Sequence, residues 1–130
     1  MSNESINSLQ IEKLNNELEE LELRSGIIGS VIIKRNGLLI TSSLPRDIDH
    51  RKIGAMAAAI FGAIENASTT LRSKNKVSNL TVELDDYQII ILKADKERLF
   101  AALIDLNVNL GLILIEIEET IEKLKKIMKV

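Results

Sequence analysis

The sequence predicts an α/β protein of the α+β type: a three-layer sandwich in which a five-stranded antiparallel sheet lies between helices, in the order α-β-β-α-β-β-β-α. Three observations carry this. Apolar residues recur at helical spacing near both ends of the chain, an Asn-Gly pair separates two apolar runs, and two later runs are apolar at consecutive positions. The first pattern marks amphipathic helices, the second a hairpin, and the third strands that are covered on both faces.

Residues 4–24 predict the first helix, with Ile6, Leu9, Ile11, Leu14, Leu18 and Leu21 on its apolar side and Ser25-Gly26 as its stop. Its a/d repeat is too short for a coiled coil, so the helix is expected to pack on a sheet. The hairpin spans 26–42. Its first strand is β-branched through Val31, Ile32 and Ile33, its turn is Asn36-Gly37 with both residues expected at positive φ, and its second strand is Leu38 to Ser42. Leu44-Pro45 interrupts it, and Asp47 or Asp49 offers a capping carboxylate to a central helix over 49–73.

That central helix has no polar side chain from Gly54 to Ile64, so it is expected to be buried all round. Ile53, Met56, Ala57, Ile60, Ile64 and Leu71 form the stripe expected to cover the sheet, while Gly54, Ala58 and Gly62 form a flat ridge for close approach. One chain has only one sheet, so the second face predicts a homodimer. Its expected interface comprises Gly54, Ala55, Ala58, Ala59, Phe61 and Gly62, with Leu80 and Val82 from an edge strand. Three strands follow over 77–104. The segment 77–84 alternates and reads as an edge that is free to pair with its twofold mate, with 38–43 as the competing edge, whereas Tyr87 to Ala94 and Arg98 to Ile104 read as central. The last helix, 110–129, carries Leu110, Leu114, Ile117, Ile121, Leu124 and Met128 on one face and Glu119–Lys123 and Glu122–Lys126 pairs on the other.

Composition narrows the function classes. The net charge of −2 supplies no basic footprint, and with 2% aromatic residues (Phe61, Phe100 and Tyr87) there is no stacking platform, so no nucleic-acid partner is expected. With no cysteine and His50 as the one histidine, neither a disulfide nor a Cys/His zinc site can form within the chain. No export signal and no integral membrane segment are expected, since the most apolar later stretch contains Asp105 and Glu116; a cytoplasmic location is consistent with this. The Asn-x-Ser/Thr sequons at Asn3, Asn66 and Asn79 are read as chance matches.

The element order, the run Gly29 to Ser42 with its strand and turn, the Ala-rich central helix and Asn109-Leu110-Gly111 opening the last helix together resemble the roadblock/dynein light chain family. The resemblance extends over nearly the whole chain from about residue 5, as one domain over 1–130. The long N-terminal helix makes it most similar to the free-standing prokaryotic members that accompany small Ras-like GTPases. The resemblance implies a homodimer joined through the second helices and edge strands, and a non-enzymatic platform that binds a small Ras-like GTPase and in some members raises its GTP hydrolysis. The alternatives are a trafficking, polarity or motor adaptor with no effect on turnover, or a small-ligand sensor, against which stands the expected absence of buried polar residues on the central strands.

No catalytic, cofactor-binding or metal residue is expected. His50 has no nucleophile beside it in sequence and sits at a helix start; Asp47/Asp49 and Asp85/Asp86 lie at turns, where Asp serves backbone hydrogen bonding. There is no phosphate-binding Gly-x-x-x-x-Gly-Lys-Ser/Thr loop, so the chain is not itself a P-loop GTPase. Arg35, Arg46 and Arg98 are the nearest candidates for an arginine finger, and no such finger is expected among them.

Overall fold

The computed structural model describes residues 6–71 and 76–129. It has the expected order: α1 (Ser8–Ser25), β1 (Gly29–Lys34), β2 (Leu39–Ser43), α2 (His50–Ser68), β3 (Asn79–Glu83), β4 (Tyr87–Lys93), β5 (Arg98–Asp105) and α3 (Leu110–Met128). The sheet is antiparallel throughout, with strand order β2-β1-β5-β4-β3. The last strand is therefore the middle one, and the edges are β2 and β3.

Side-chain alternation explains the layering. Ile32, Ile90, Leu92, Phe100, Ala102 and Ile104 point to one face, where α1 and α3 cover them with Leu14, Leu18, Leu21, Ile113, Ile117, Ile121 and Leu124. Val31, Ile33, Ile89, Ile91, Leu99, Ala101 and Leu103 point to the other, under α2. The two helices of the first layer run antiparallel: Gln10 Nε2 donates to the Ile127 carbonyl (2.9 Å) at one end, and Arg24 Nη2 donates to Thr120 Oγ1 (3.0 Å) at the other.

Local chemistry sets the element ends. Asn7 and Gln10 form a capping box at the start of α1, and Gly26 at φ +76° closes it in the left-handed conformation that glycine adopts without strain. Asp49 and Asn109 cap α2 and α3 by accepting from Lys52 N and Leu112 N. The expected start of the first helix at residue 4 lies outside the described residues.

Two details differ from the sequence expectation. Only Gly37 (φ +94°) has positive φ in the hairpin turn. Gly37 N–H donates to the Lys34 carbonyl, Lys34 N–H donates to Leu38, and the Asn36 side chain accepts from Leu38 N, which makes a three-residue loop rather than a two-residue one. The central helix ends at Ser68, not residue 73. Ser68, Thr69 and Thr70 donate their hydroxyls to the carbonyls of Glu65, Asn66 and Ala67, competing with continuation of the helix, and Leu71 beyond them is exposed. The expected end at 73 itself lies outside the described residues.

Gly29 tests the close packing of the β1–β2 pair. A Cβ there would meet the Ser43 carbonyl oxygen at 2.2 Å, a backbone atom that cannot swing away. Gly29→Ala is expected to cost about 3 kcal/mol in urea denaturation, whereas Gly62→Ala, whose Cβ would meet nothing within 4 Å, is expected to be neutral or to gain up to about 1 kcal/mol from helix propensity.

Candidate interaction surface

The two sides of α2 are rotated by one residue from the sequence expectation. Gly54, Ala57, Ala58 and Phe61 are the buried positions, while Met56 and Ile64 are exposed at 43% and 40%. The reason is bulk on the sheet below: a Cβ on Gly54 would meet Ile33 Cγ2 at 2.7 Å, so the glycine faces inward to let the helix settle on β1. The outward side presents Ala55, Ala59 and Ala63 at four-residue intervals, beside Met56 and the half-buried Gly62. Of the residues singled out from sequence, Ala55 and Ala59 lie outward, Gly62 lies partly so, and Gly54, Ala58 and Phe61 pack beneath. The outward-facing series is present in the sequence as Ala55-Ala59-Ala63-Ala67, and the size of Ile33 sets it outward in place of the glycine series.

Because α2 lies over β1 and β2, it leaves the β3 side of the sheet open. The result is an apolar groove of about 180 Å³ between helix and sheet, lined by Ile53, Met56, Ala57, Ile60, Val82, Leu84, Ile89 and Ile91. Val82 and Leu80 are half-buried on this face of β3. The groove, the alanine ridge and the β3 edge form one continuous surface.

The two sheet edges differ. On β2, Asn15 Nδ2 donates to the Ser42 carbonyl (2.8 Å) and to Thr41 Oγ1 (3.0 Å), and Ser43 Oγ donates to Glu22, so α1 side chains occupy the margin. His50 adds to this. Its Nε2 lies 3.2 Å from the Pro45 carbonyl and its Nδ1 2.6 Å from Ser42 Oγ. A carbonyl only accepts, so Nε2 carries the proton and Ser42 donates to Nδ1. The structure therefore brings a serine to the histidine where none is adjacent in sequence. The two ring nitrogens tie the end of β2 and the following loop to the start of α2. The β3 backbone has no such side-chain cover among the described residues.

Several charged groups around α2 and β5 are also tied down. Glu65 on α2 pairs with Arg35 from the hairpin turn and with Lys93 at 3.5 Å, and the Arg35 guanidinium lies 5.6 Å from the centre of the Phe61 ring. Arg98 is 5% exposed and pairs with Asp95 at 2.6 Å. Arg46 is exposed. Asp85 and Asp86 sit in the β3–β4 turn. Among the described residues no group of three or more His, Asp or Glu could hold a metal ion, and no helix is long and apolar enough to cross a membrane. The central strands do carry buried polar residues, Ser30, Gln88 and Arg98, contrary to the sequence expectation. Their burial is not visible in sequence because each lies at the start of an apolar run, where the pattern does not show how far the cover extends.

Comparison with known proteins places this geometry. The sequence profile described as the Roadblock/LC7 domain matches residues 13–104, from within α1 to the end of β5. An uncharacterized protein of Methanocaldococcus jannaschii, MJ1340, is 35% identical over 108 residues, which is 83% of this chain and 93% of that protein. Among solved structures, Myxococcus xanthus MglB is similar with a TM-score of 0.85 at 18% identity, covering 95% of this chain and 92% of that one. A Roadblock/LC7 domain from Streptomyces avermitilis has a TM-score of 0.82 at 15% identity, covering 88% and 96%. At these identities the two structural likenesses are of fold.

The difference between the edges can be measured. Asn15→Ala removes a donor from the Ser42 carbonyl and is expected to cost about 1 kcal/mol and to speed amide exchange in β2, while β3 exchange stays unchanged. Equal acceleration in both strands would show that Asn15 supports the whole sheet and not its margin.

Proposed function

The chain belongs to the Roadblock/LC7 domain family, and from that premise we propose that it is a non-catalytic, homodimeric regulator or scaffold that binds a small Ras-like GTPase. The observation that carries the dimer is the continuous apolar surface of the alanine ridge, the groove and the β3 edge. Small residues at Ala55, Ala59 and Gly62 let a second α2 approach closely, and Leu80 and Val82 extend the contact along β3, whose free edge accepts a partner strand. Gly54, Ala58 and Phe61 support that interface from below by fixing α2 on its own sheet.

The GTPase as partner follows from the family resemblance. The residues support a role in positioning rather than in chemistry. Arg35 is held by Glu65 over Phe61, and Arg98 is buried beside Asp95, so neither is presented to a γ-phosphate. The Ser42–His50 pair lacks a carboxylate on the histidine, whose second nitrogen meets a backbone carbonyl instead.

Gly62→Glu places a charge in the ridge without an internal clash. It is expected to convert the dimer to a folded monomer in light scattering at micromolar concentration, with the circular dichroism spectrum retained. A wild-type chain that is already monomeric there would remove the interface. For function, GTP hydrolysis by candidate Ras-like GTPases is to be measured with the wild-type chain and with Arg35→Ala, Arg46→Ala and Arg98→Ala. Binding is expected to survive each change, with stimulated turnover altered far less than the roughly 10³–10⁵-fold of an arginine finger. Failure to bind any such GTPase in either nucleotide state would leave the adaptor reading.

A further inference from the structure

The layer opposite α2 carries a second unpartnered surface. At the end where α1 closes and α3 opens, Arg24 sits among three carboxylates, those of Glu20, Glu116 and Glu119. Arg24 Nε donates to Glu116 Oε2 at 2.6 Å across the seam. That hydrogen bond, with the further negative charge of Glu20 and Glu119, holds the guanidinium above its ordinary range despite slight desolvation. One cation thus faces several carboxylates, and Glu20 and Glu119 remain exposed. The same two helices turn three long aliphatic side chains to solvent: Leu23 at 88%, Leu112 at 63% and Ile115 at 55% exposure.

We propose that this α1–α3 seam docks a basic amphipathic helix of a partner protein. Aliphatic side chains of such a helix would cover Leu112, Ile115 and Leu23, while its Lys or Arg residues would meet Glu20, Glu119 and the acidic rim. A seam between two antiparallel helices offers ridges and a groove to a third helix, not a strand edge. Charge selects this occupant over others. An anionic lipid surface is repelled, and two copies of the same seam facing each other would set like charges together. The surface lies on the opposite face of the sheet from α2, so the proposal stands apart from the dimer.

The test uses the whole chain and a synthetic Leu/Lys amphipathic peptide of about eighteen residues, roughly five helical turns, beside a peptide with Glu in place of each Lys. Titration calorimetry is expected to give a Kd of about micromolar order for the Lys peptide and none for the Glu peptide. Glu20→Lys with Glu119→Lys, and separately Leu112→Ser with Ile115→Ser, are each expected to weaken binding about tenfold or more. Leu23→Ser, at a site almost wholly in solvent, is expected to weaken binding without touching the core. Hydrogen exchange should show new protection in 17–25 and 111–120. The proposal is overturned if the Lys peptide does not bind, if it binds these variants as it does the wild type, or if protection appears instead at the α2 groove. Concentration-dependent self-association that is abolished by the Glu→Lys pair would assign the seam to a second copy and overturn it equally.

Discussion

A sheet whose three inner strands are apolar on both faces has to be covered twice. In β1, β5 and β4 nearly every residue is buried, so neither face can meet water, and the chain has to supply helices to each. From this follow the three layers, the aliphatic faces of α1 and α3, and the small residues of α2. The covering is unequal. Two helices lie on one face and a single helix lies off-centre on the other, so the β3 side of the second face stays open. The position of the open apolar groove is thus set by a shortage of helix over one part of the sheet.

The small residues of α2 show how sheet and helix adjust to one another. Ile33 projects far enough that only a glycine fits above it, at Gly54, and Gly37 in the hairpin turn lies close to Ala55 from the side. Helix and sheet approach closely, and the penalty for glycine within a helix is offset by the packing it permits. Polar side chains then finish the edges: Asn15, Glu22 and His50 attend to β2, and Arg35, Glu65 and Lys93 connect the hairpin turn and β4 with α2.

The element order, the central placing of β4 and β5 and a capping carboxylate at Asp47 or Asp49 are legible in the sequence because each rests on local patterning. What is not legible depends on distance. Whether the alanine or the glycine series of α2 faces outward turns on Ile33, and the Ser42–His50 bond depends on how the segment after β2 folds back. The end of α2 at Ser68 is a local event that the apolar pattern through Leu71 conceals, since three successive hydroxyl groups act against it. Of the interface residues named from sequence, those on β3 fall on the open face, while half of those on α2 face inward, because a rotation of one residue moves a helical side chain by about 100°.

The central place of β5 also bears on how the chain comes together during synthesis. Strands β1 and β4 each have β5 as a neighbour, yet β1 ends at residue 34 and β5 begins at residue 98. Until the ribosome has released that last strand, the β1–β2 hairpin keeps an apolar inner edge unpaired, and β4 has only β3. Closing so long a loop costs entropy before any contact compensates for it, which makes the insertion of β5 the slow, non-local step. In the interval the nascent chain exposes two strand edges of the kind that chaperones shield.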